Sequence, residues 1–253
     1  MKILSWNVGY FLGYNGSTLD YLKKPYRAIL GCNQELEHGK IDEALNLIEE
    51  EEPDLVAFQE VDEGSIRTRT PGHTKKIRKD FSLRDYSCKS YNKYGNKANK
   101  IPLLRHLSNS VLFKHNWEVR PHYFSKGLKN LAIEVNIDES FSVFTVHLPL
   151  SSNMRREQLK ELFYLTKRLN KVAIIGDFNL LGGLEEIEDL LTEFNLQARD
   201  PKKTIPEANL DRYIFNEPRY DLLIHSPNLD VSRYEQLPKR VSDHNALITE
   251  INP

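Results

Sequence analysis

The stretch Ala173 to Leu181, AIIGDFNLL, narrows the possible folds of this chain more than any other. A short apolar run enters a glycine, and a carboxylate and a carboxamide follow two residues apart. Such a run reads as a buried strand that stops at a turn and presents polar groups there. Residues i and i+2 of an extended chain point the same way. Asp177 and Asn179 then face one point, with Phe178 turned toward the core. A carboxylate and an amide aimed together suit a metal-bound water or a phosphate oxygen. A turn in which both side chains bond only their own backbone accounts for the stretch equally well.

The chain has 253 residues, 40% hydrophobic and 28% charged, with a net charge of -1. It is long and apolar enough to bury a substantial core, and is expected to form a single domain over 1–253. Cys32 and Cys88 have no metal-type spacing and form no disulfide framework, which points to a reducing compartment. No apolar run approaches the roughly 20 residues that span a bilayer. The start, MKILSWNVG, is too short for a signal h-region and reads as a strand. The expected location is cytoplasmic.

Strand signals cover Lys2 to Val8, Asp54 to Val61, Asn109 to Phe113, Leu131 to Ile137, Phe141 to Leu148, Tyr220 to His225 and Ala246 to Ile251. Asp138 to Ser140 is a hairpin turn. Helical spacing predicts helices over Lys40 to Glu52, Arg155 to Leu169 and Leu184 to Phe194, with a short one near Tyr21 to Leu30. Asp200 to Asn216 reads as loop. Strands partly joined by hairpins and partly separated by helices predict a mixed-sheet α/β fold.

Ile66 to His106 stands apart. It holds twelve Lys or Arg against only Asp80 and Asp85, a balance of +10, with Phe81, Tyr86, Tyr91 and Tyr94 interleaved. Thr74 to Phe81 is a candidate helix and Asn92 to Ile101 reads as loop. This insert-like segment (66–106) suits a nucleic-acid backbone with base stacking, and equally another anionic phosphoester. A solvated basic loop with no partner is the plainer account. Nothing in the sequence points to a protein partner.

Polar groups collect at the ends of the apolar runs: Asn7, Glu60, Asn109, His147, Asp177, Asn179, Asp221, Asp243 and His244. Singly, each has a structural explanation, since local polar bonding accounts for many such residues. As a set they make chemical sense. Glu60 and Asn7 offer oxygen ligands, which favour a hard cation such as Mg²⁺ over zinc. Asp177 is placed to orient or deprotonate a water. Asp221 and His244 are expected to form a carboxylate–imidazole pair that keeps the imidazole charged. A metal and an imidazolium together stabilise the charge of an in-line phosphoryl displacement.

LSWNV at 4–8, QE at 59–60, VHL at 146–148, GDFN at 176–179, RYDLLIHS at 219–226 and SDH at 242–244 stand in the order of the endonuclease/exonuclease/phosphatase (DNase I-like) superfamily, which the chain resembles from Asn7 to His244. The resemblance implies a four-layered α/β sandwich of two packed mixed sheets, and a Mg²⁺- or Mn²⁺-dependent phosphoesterase. It implies that Glu60 is the principal metal ligand, with Asn7 close by and Asp243 assisting. Asp177 resembles the residue that activates the attacking water, and His244, paired with Asp221, the imidazole at the scissile phosphate. Asn179, His147 and Asn109 resemble groups that position the phosphate, Asn179 and His147 also being counted as catalytic. The expected activity is a nuclease cleaving DNA or RNA. The alternatives are a phosphoesterase for a lipid head group, inositol phosphate or other small ester, and an inactive nucleic-acid-binding module.

Overall fold

The computed structural model describes residues 1–14, 18–68, 71–79, 83–95, 101–102, 104–200 and 218–252. The first part of the chain supplies strands β1 (Lys2–Asn7), β2 (Leu55–Asp62), β3 (Ser87–Asn92) and β4 (Leu107–Phe113). β5 (Glu118–Tyr123), β6 (Leu131–Asn136), β7 (Phe141–His147), β8 (Lys171–Leu180), β9 (Gln197–Arg199) and β10 (Arg219–His225) follow, then β11 (Asp230–Arg240) and β12 (Asn245–Asn252). The helices are α1 (Thr18–Lys23), α2 (Arg27–Leu30), α3 (Gln34–Glu51), α4 (His73–Lys79), α5 (Ser152–Thr166) and α6 (Glu188–Glu193).

The strands form two six-stranded sheets, in the orders β11-β12-β1-β2-β4-β3 and β5-β6-β7-β8-β10-β9. In each, a central parallel pair (β1 with β2, β7 with β8) is flanked by antiparallel neighbours. Alternation along the strands builds the layers. Ile3, Leu55, Ala57, Val111, Val143, Ala173, Ile175 and Leu223 point inward and fill the space between the sheets. Their strand neighbours Leu4, Trp6, Val56 and Phe58 point outward, where Ile41, Ala44, Leu45 and Ile48 of α3 and Ile77 of α4 cover them. Phe144, Val146, Ile174 and Leu222 do the same beneath Leu159, Leu162 and Phe163 of α5 and Leu190 of α6. Helix, sheet, sheet, helix is the four-layered DNase I-like sandwich that the resemblance implies.

Several boundaries differ from the sequence reading. α3 starts at Gln34 instead of Lys40, because the Asn33 side chain caps it by accepting from Leu36 N at 2.8 Å. Its acidic C-terminus is offset by cations: Glu51 pairs with Arg233 at 2.8 Å and Lys2 at 3.7 Å. The short helix expected near Tyr21 to Leu30 is two, α1 and α2, separated around Pro25. The expected helix over Leu184 to Phe194 is a 3₁₀ turn (Leu184–Glu186) followed by α6. The strand containing AIIGD does not stop at the glycine; β8 runs on to Leu180. The candidate helix from Thr74 is α4, whose described part ends at Lys79. The loop readings for 201–216 and 96–100 lie outside the described residues.

Candidate active site

The inward rows that are apolar in mid-strand turn polar at one end of the sandwich. β1 continues from Ile3 through Ser5 to Asn7, and β7 from Val143 through Thr145 to His147; both stay buried throughout. β8 carries Ala173, Ile175 and Asp177, while β10, antiparallel to it, brings Asp221 opposite Asp177. β4, antiparallel to β2, brings Asn109 to the end that holds Glu60. His244 enters from the turn before β12, which pairs with β1. All nine residues singled out in the sequence lie at this one end.

Two of them are aimed by matching irregularities. On β2, Phe58 pairs with Ser110 and Val61 with Ser108, so Gln59 and Glu60 together oppose Asn109. On β8, Asp177 pairs with Asp221 and Leu180 with Arg219, so Phe178 and Asn179 together oppose Tyr220. In each β-bulge the second residue is left-handed: Glu60 at φ 59° and Asn179 at φ 53°. The bulge takes Glu60 out of strict alternation, and its backbone N donates to Asn109 Oδ1 at 3.3 Å. Asn179 N donates to Asp177 Oδ1 at 3.2 Å, and Asn179 Nδ2 to Leu148 O at 3.0 Å. The turn-type backbone bond and the clustering with other site groups therefore coexist at GDFN.

Asp177 Oδ2 is where the side chains converge. It accepts from Asn7 Nδ2 at 2.9 Å and lies 3.4 Å from His147 Nε2 and 4.0 Å from His244 Nε2. His244 Nδ1 donates to Asp221 Oδ2 at 2.6 Å, and its Nε2 lies 4.0 Å from Asp243 Oδ2. Burial opposes a charged His244, but Asp221 and then Asp243 hold its pKa well above the ordinary value. Burial pushes the Asp177 carboxyl up to about 7, against the pull of His244. Ser242 Oγ bonds Asn7 O and accepts from His244 N at 3.1 Å, and Trp6 Nε1 donates to His244 O at 3.0 Å.

Glu60 is the more open carboxylate, with its side chain 20% exposed. Its Oε1 accepts from Lys93 Nζ at 3.0 Å and lies 3.8 Å from His147 Nδ1 and 4.0 Å from Lys129 Nζ. Burial opposes its charge, yet Lys93 above all, with Lys129, keeps the carboxyl well below the usual range. Lys129 Nζ also stands 2.9 Å from His147 Nε2. Burial and then Lys129 drive the imidazole of His147 well below its ordinary pKa, so it is neutral. Its buried Nδ1 has no hydrogen-bond partner among the described residues.

Lys93 and Lys129 were not singled out from the sequence. Lys93 was one of twelve cations in the basic segment, and Lys129 sits in an unpatterned connection before β6. The basic segment is also put to uses its composition does not show. Arg67 is buried, paired with Asp62 at 3.0 Å and stacked 4.4 Å over the Tyr10 ring. Lys75, Arg78 and Lys79 are exposed on α4.

The donor set fits a hard divalent cation. An ionised carboxylate (Glu60), an amide oxygen (Asn7) and Asp243, itself 20% exposed, are oxygen donors. The orphaned Nδ1 of His147 faces the same carboxylate. Among the described residues no group of three or more His, Cys, Asp or Glu forms a cage for a metal.

Two packed mixed sheets with carboxylates, amides and imidazoles gathered at one end define the class as DNase I-like. The endonuclease/exonuclease/phosphatase family model matches residues 4–244, and the chain belongs to that family, whose members are phosphoester hydrolases. Among curated proteins none matches in sequence. Among solved structures, an endonuclease/exonuclease/phosphatase family protein from Leptotrichia buccalis is 18% identical with a TM-score of 0.69, each chain covered in full. The human nocturnin catalytic domain with bound sulfate is 14% identical (TM-score 0.64; 100% of this chain, 94% of that one). A mannosyl-6-phosphatase of Bacteroides thetaiotaomicron is 14% identical (TM-score 0.64, both chains covered in full). Among the described residues no helix is long and apolar enough to cross a membrane.

Proposed function

We propose that this chain is a divalent-metal-dependent phosphodiesterase that hydrolyses nucleic-acid phosphodiester bonds by in-line attack of water. The observation that carries the hydrolytic reading is the convergence of Asn7, His147 and His244 on one buried oxygen, Asp177 Oδ2. A carboxylate so placed, raised to about 7, is matched to accept a proton from water near neutral pH. Asn7 fixes its orientation. Asp221 keeps His244 charged, so an imidazolium faces the scissile phosphate and offsets the charge that develops there. Neutral His147, Asn179 and the Asn109 amide line the phosphate's side of the site. Glu60 would hold the metal, with Asn7 and Asp243 as further oxygen donors at the same end of the sandwich. When bound, the ion supplies Lewis-acid polarisation of the phosphoryl oxygens.

Nucleic acid is favoured as substrate by the exposed cations of α4; the interleaved tyrosines do not serve as stacking surfaces, since Tyr86 and Tyr94 are buried and Tyr91 packs inward with its hydroxyl on Val119 O. A small phosphoester is the second reading. It is favoured by Arg67 and Lys93, whose charges are satisfied inside the protein and are unavailable to a polymer backbone. The test is a substrate panel in Mg²⁺ and Mn²⁺: single- and double-stranded DNA, RNA, an aryl phosphodiester and phospholipid head groups. Asp177→Ala is expected to lose at least about 10³-fold in kcat on the substrate that turns over, with its far-UV spectrum unchanged. Wild-type rates in both Asp177→Ala and His244→Ala would overturn the mechanism. Tight nucleic-acid binding without turnover in any metal would favour a binding module instead.

A further inference from the structure

Lys93 is an unusual occupant of this site. Its side chain is 2% exposed, yet it comes from the most basic stretch of the chain. Its Nζ is held on three sides: Glu60 Oε1 accepts at 3.0 Å, the Tyr10 hydroxyl bonds it, and the Tyr10 and Tyr94 rings lie 4.8 and 5.4 Å away. Tyr10 is itself fixed, in a left-handed backbone at φ 55° and beneath the stacked Arg67 guanidinium. The Lys93 backbone is pinned on both sides, its N donating to Leu107 O of β4 at 3.0 Å and its O accepting at 3.1 Å from Asn130 N, in the connection just before β6. A buried ammonium is expensive without a partner, and Glu60 is its one carboxylate partner among the described contacts. Lys129 differs: it sits further from Glu60 and is 27% exposed at the mouth.

We infer that Lys93 is a resident counter-ion of Glu60 that sets the affinity of the site for its metal, by competing for the same carboxylate oxygen. This rests on the reading that Glu60 holds the metal. An ammonium fixed about 3 Å from the liganding oxygen repels an incoming dication, and at that range the repulsion is not screened by salt. Lys93 cannot retreat, because its backbone is tied to β4 and to the connection before β6 and its head group is enclosed by two rings. The same contact neutralises Glu60 when no metal is bound, so the empty site holds together. Lys93 is thus a positioning residue, and metal occupancy follows the concentration of free cation.

The test is Mn²⁺ binding by calorimetry to the full chain as wild type, Lys93→Met, Lys93→Gln and Glu60→Gln. Thermal unfolding identifies which variants fold, and either Lys93 variant suffices. Wild type should bind Mn²⁺, Glu60→Gln should lose it, and both Lys93 variants should bind about ten-fold more tightly. Unchanged or weaker binding in a folded Lys93 variant, with Glu60→Gln still deficient, overturns the competition alone. If Glu60→Gln binds as wild type does, the metal role of Glu60 fails and the inference with it.

Discussion

At Asp177 the surroundings work against the charge a carboxylate ordinarily carries, and at His244 they work for it. Burial raises one pKa to about 7, while Asp221 holds the other high. Groups pushed in chosen directions at one point are what proton-transfer chemistry needs. The sign gives a prediction. His244 stays charged across neutral pH because of Asp221, so Asp221→Asn should let it deprotonate earlier. The basic limb of the kcat–pH profile should then move to lower pH, narrowing the profile against the acidic limb that Asp177 sets, with at least about ten-fold lost at about pH 8. An unmoved basic limb would remove the imidazolium from the proposal. At this scale the sequence was legible where a residue broke an apolar run, as Asp177, Asp221 and His147 do. Lys93 and Lys129 broke no such pattern. A buried cation in a basic segment looks like a solvated one until its partner, Glu60, is placed beside it.

Elements were legible in proportion to how much apolar surface they bury. β1, β2, β7 and β8 are inner strands and announce themselves as apolar runs. β3, β5, β9 and β11 are the edge strands of the two sheets and went unread. One side of an edge strand lacks a neighbour, so polar residues such as those of EVRPHY (118–123) are tolerated. The bulges were invisible as well, since neither Glu60 nor Asn179 is a glycine to flag a left-handed backbone. Gly176 is the counterpart that does flag a constraint: at φ 139°, a Cβ there would lie 2.2 Å from Val146 O on the adjacent parallel strand. Gly176→Ala should therefore force β7 and β8 apart and cost at least about 3 kcal/mol, read as a lower urea midpoint. At Asn179, by contrast, Gly suits the left-handed backbone and should cost only the bond to Leu148 O, about 1 kcal/mol, while Val should lose about 1–2 kcal/mol more because a β-branched residue resists the left-handed conformation.

On the scale of the whole molecule the two sheets repeat one plan, although the sequence shows no internal repeat. Each centres on a parallel pair whose crossover carries a long helix, α3 or α5. In each, the second strand of the pair ends in a bulge with a left-handed polar residue. Gln59 bridges them: its Nε2 donates to Ser5 Oγ at 3.3 Å in one sheet and Thr145 Oγ1 at 3.0 Å in the other, with no exposure to solvent. Gln59→Ala should cost about 1–3 kcal/mol in denaturant unfolding, because two buried hydroxyls lose a donor. A loss under about 0.5 kcal/mol would show that the bridge contributes nothing. The repeated plan also divides the chemistry between owners. Asn7, Glu60 and His244 belong to the first sheet, His147, Asp177 and Asp221 to the second, and neither set is complete alone. The centre is a seam, like the join between two subunits of a dimer whose halves happen to share one chain. Turnover would then report on the mating of those halves, and would vanish from any state in which both sheets persist but have slid out of alignment.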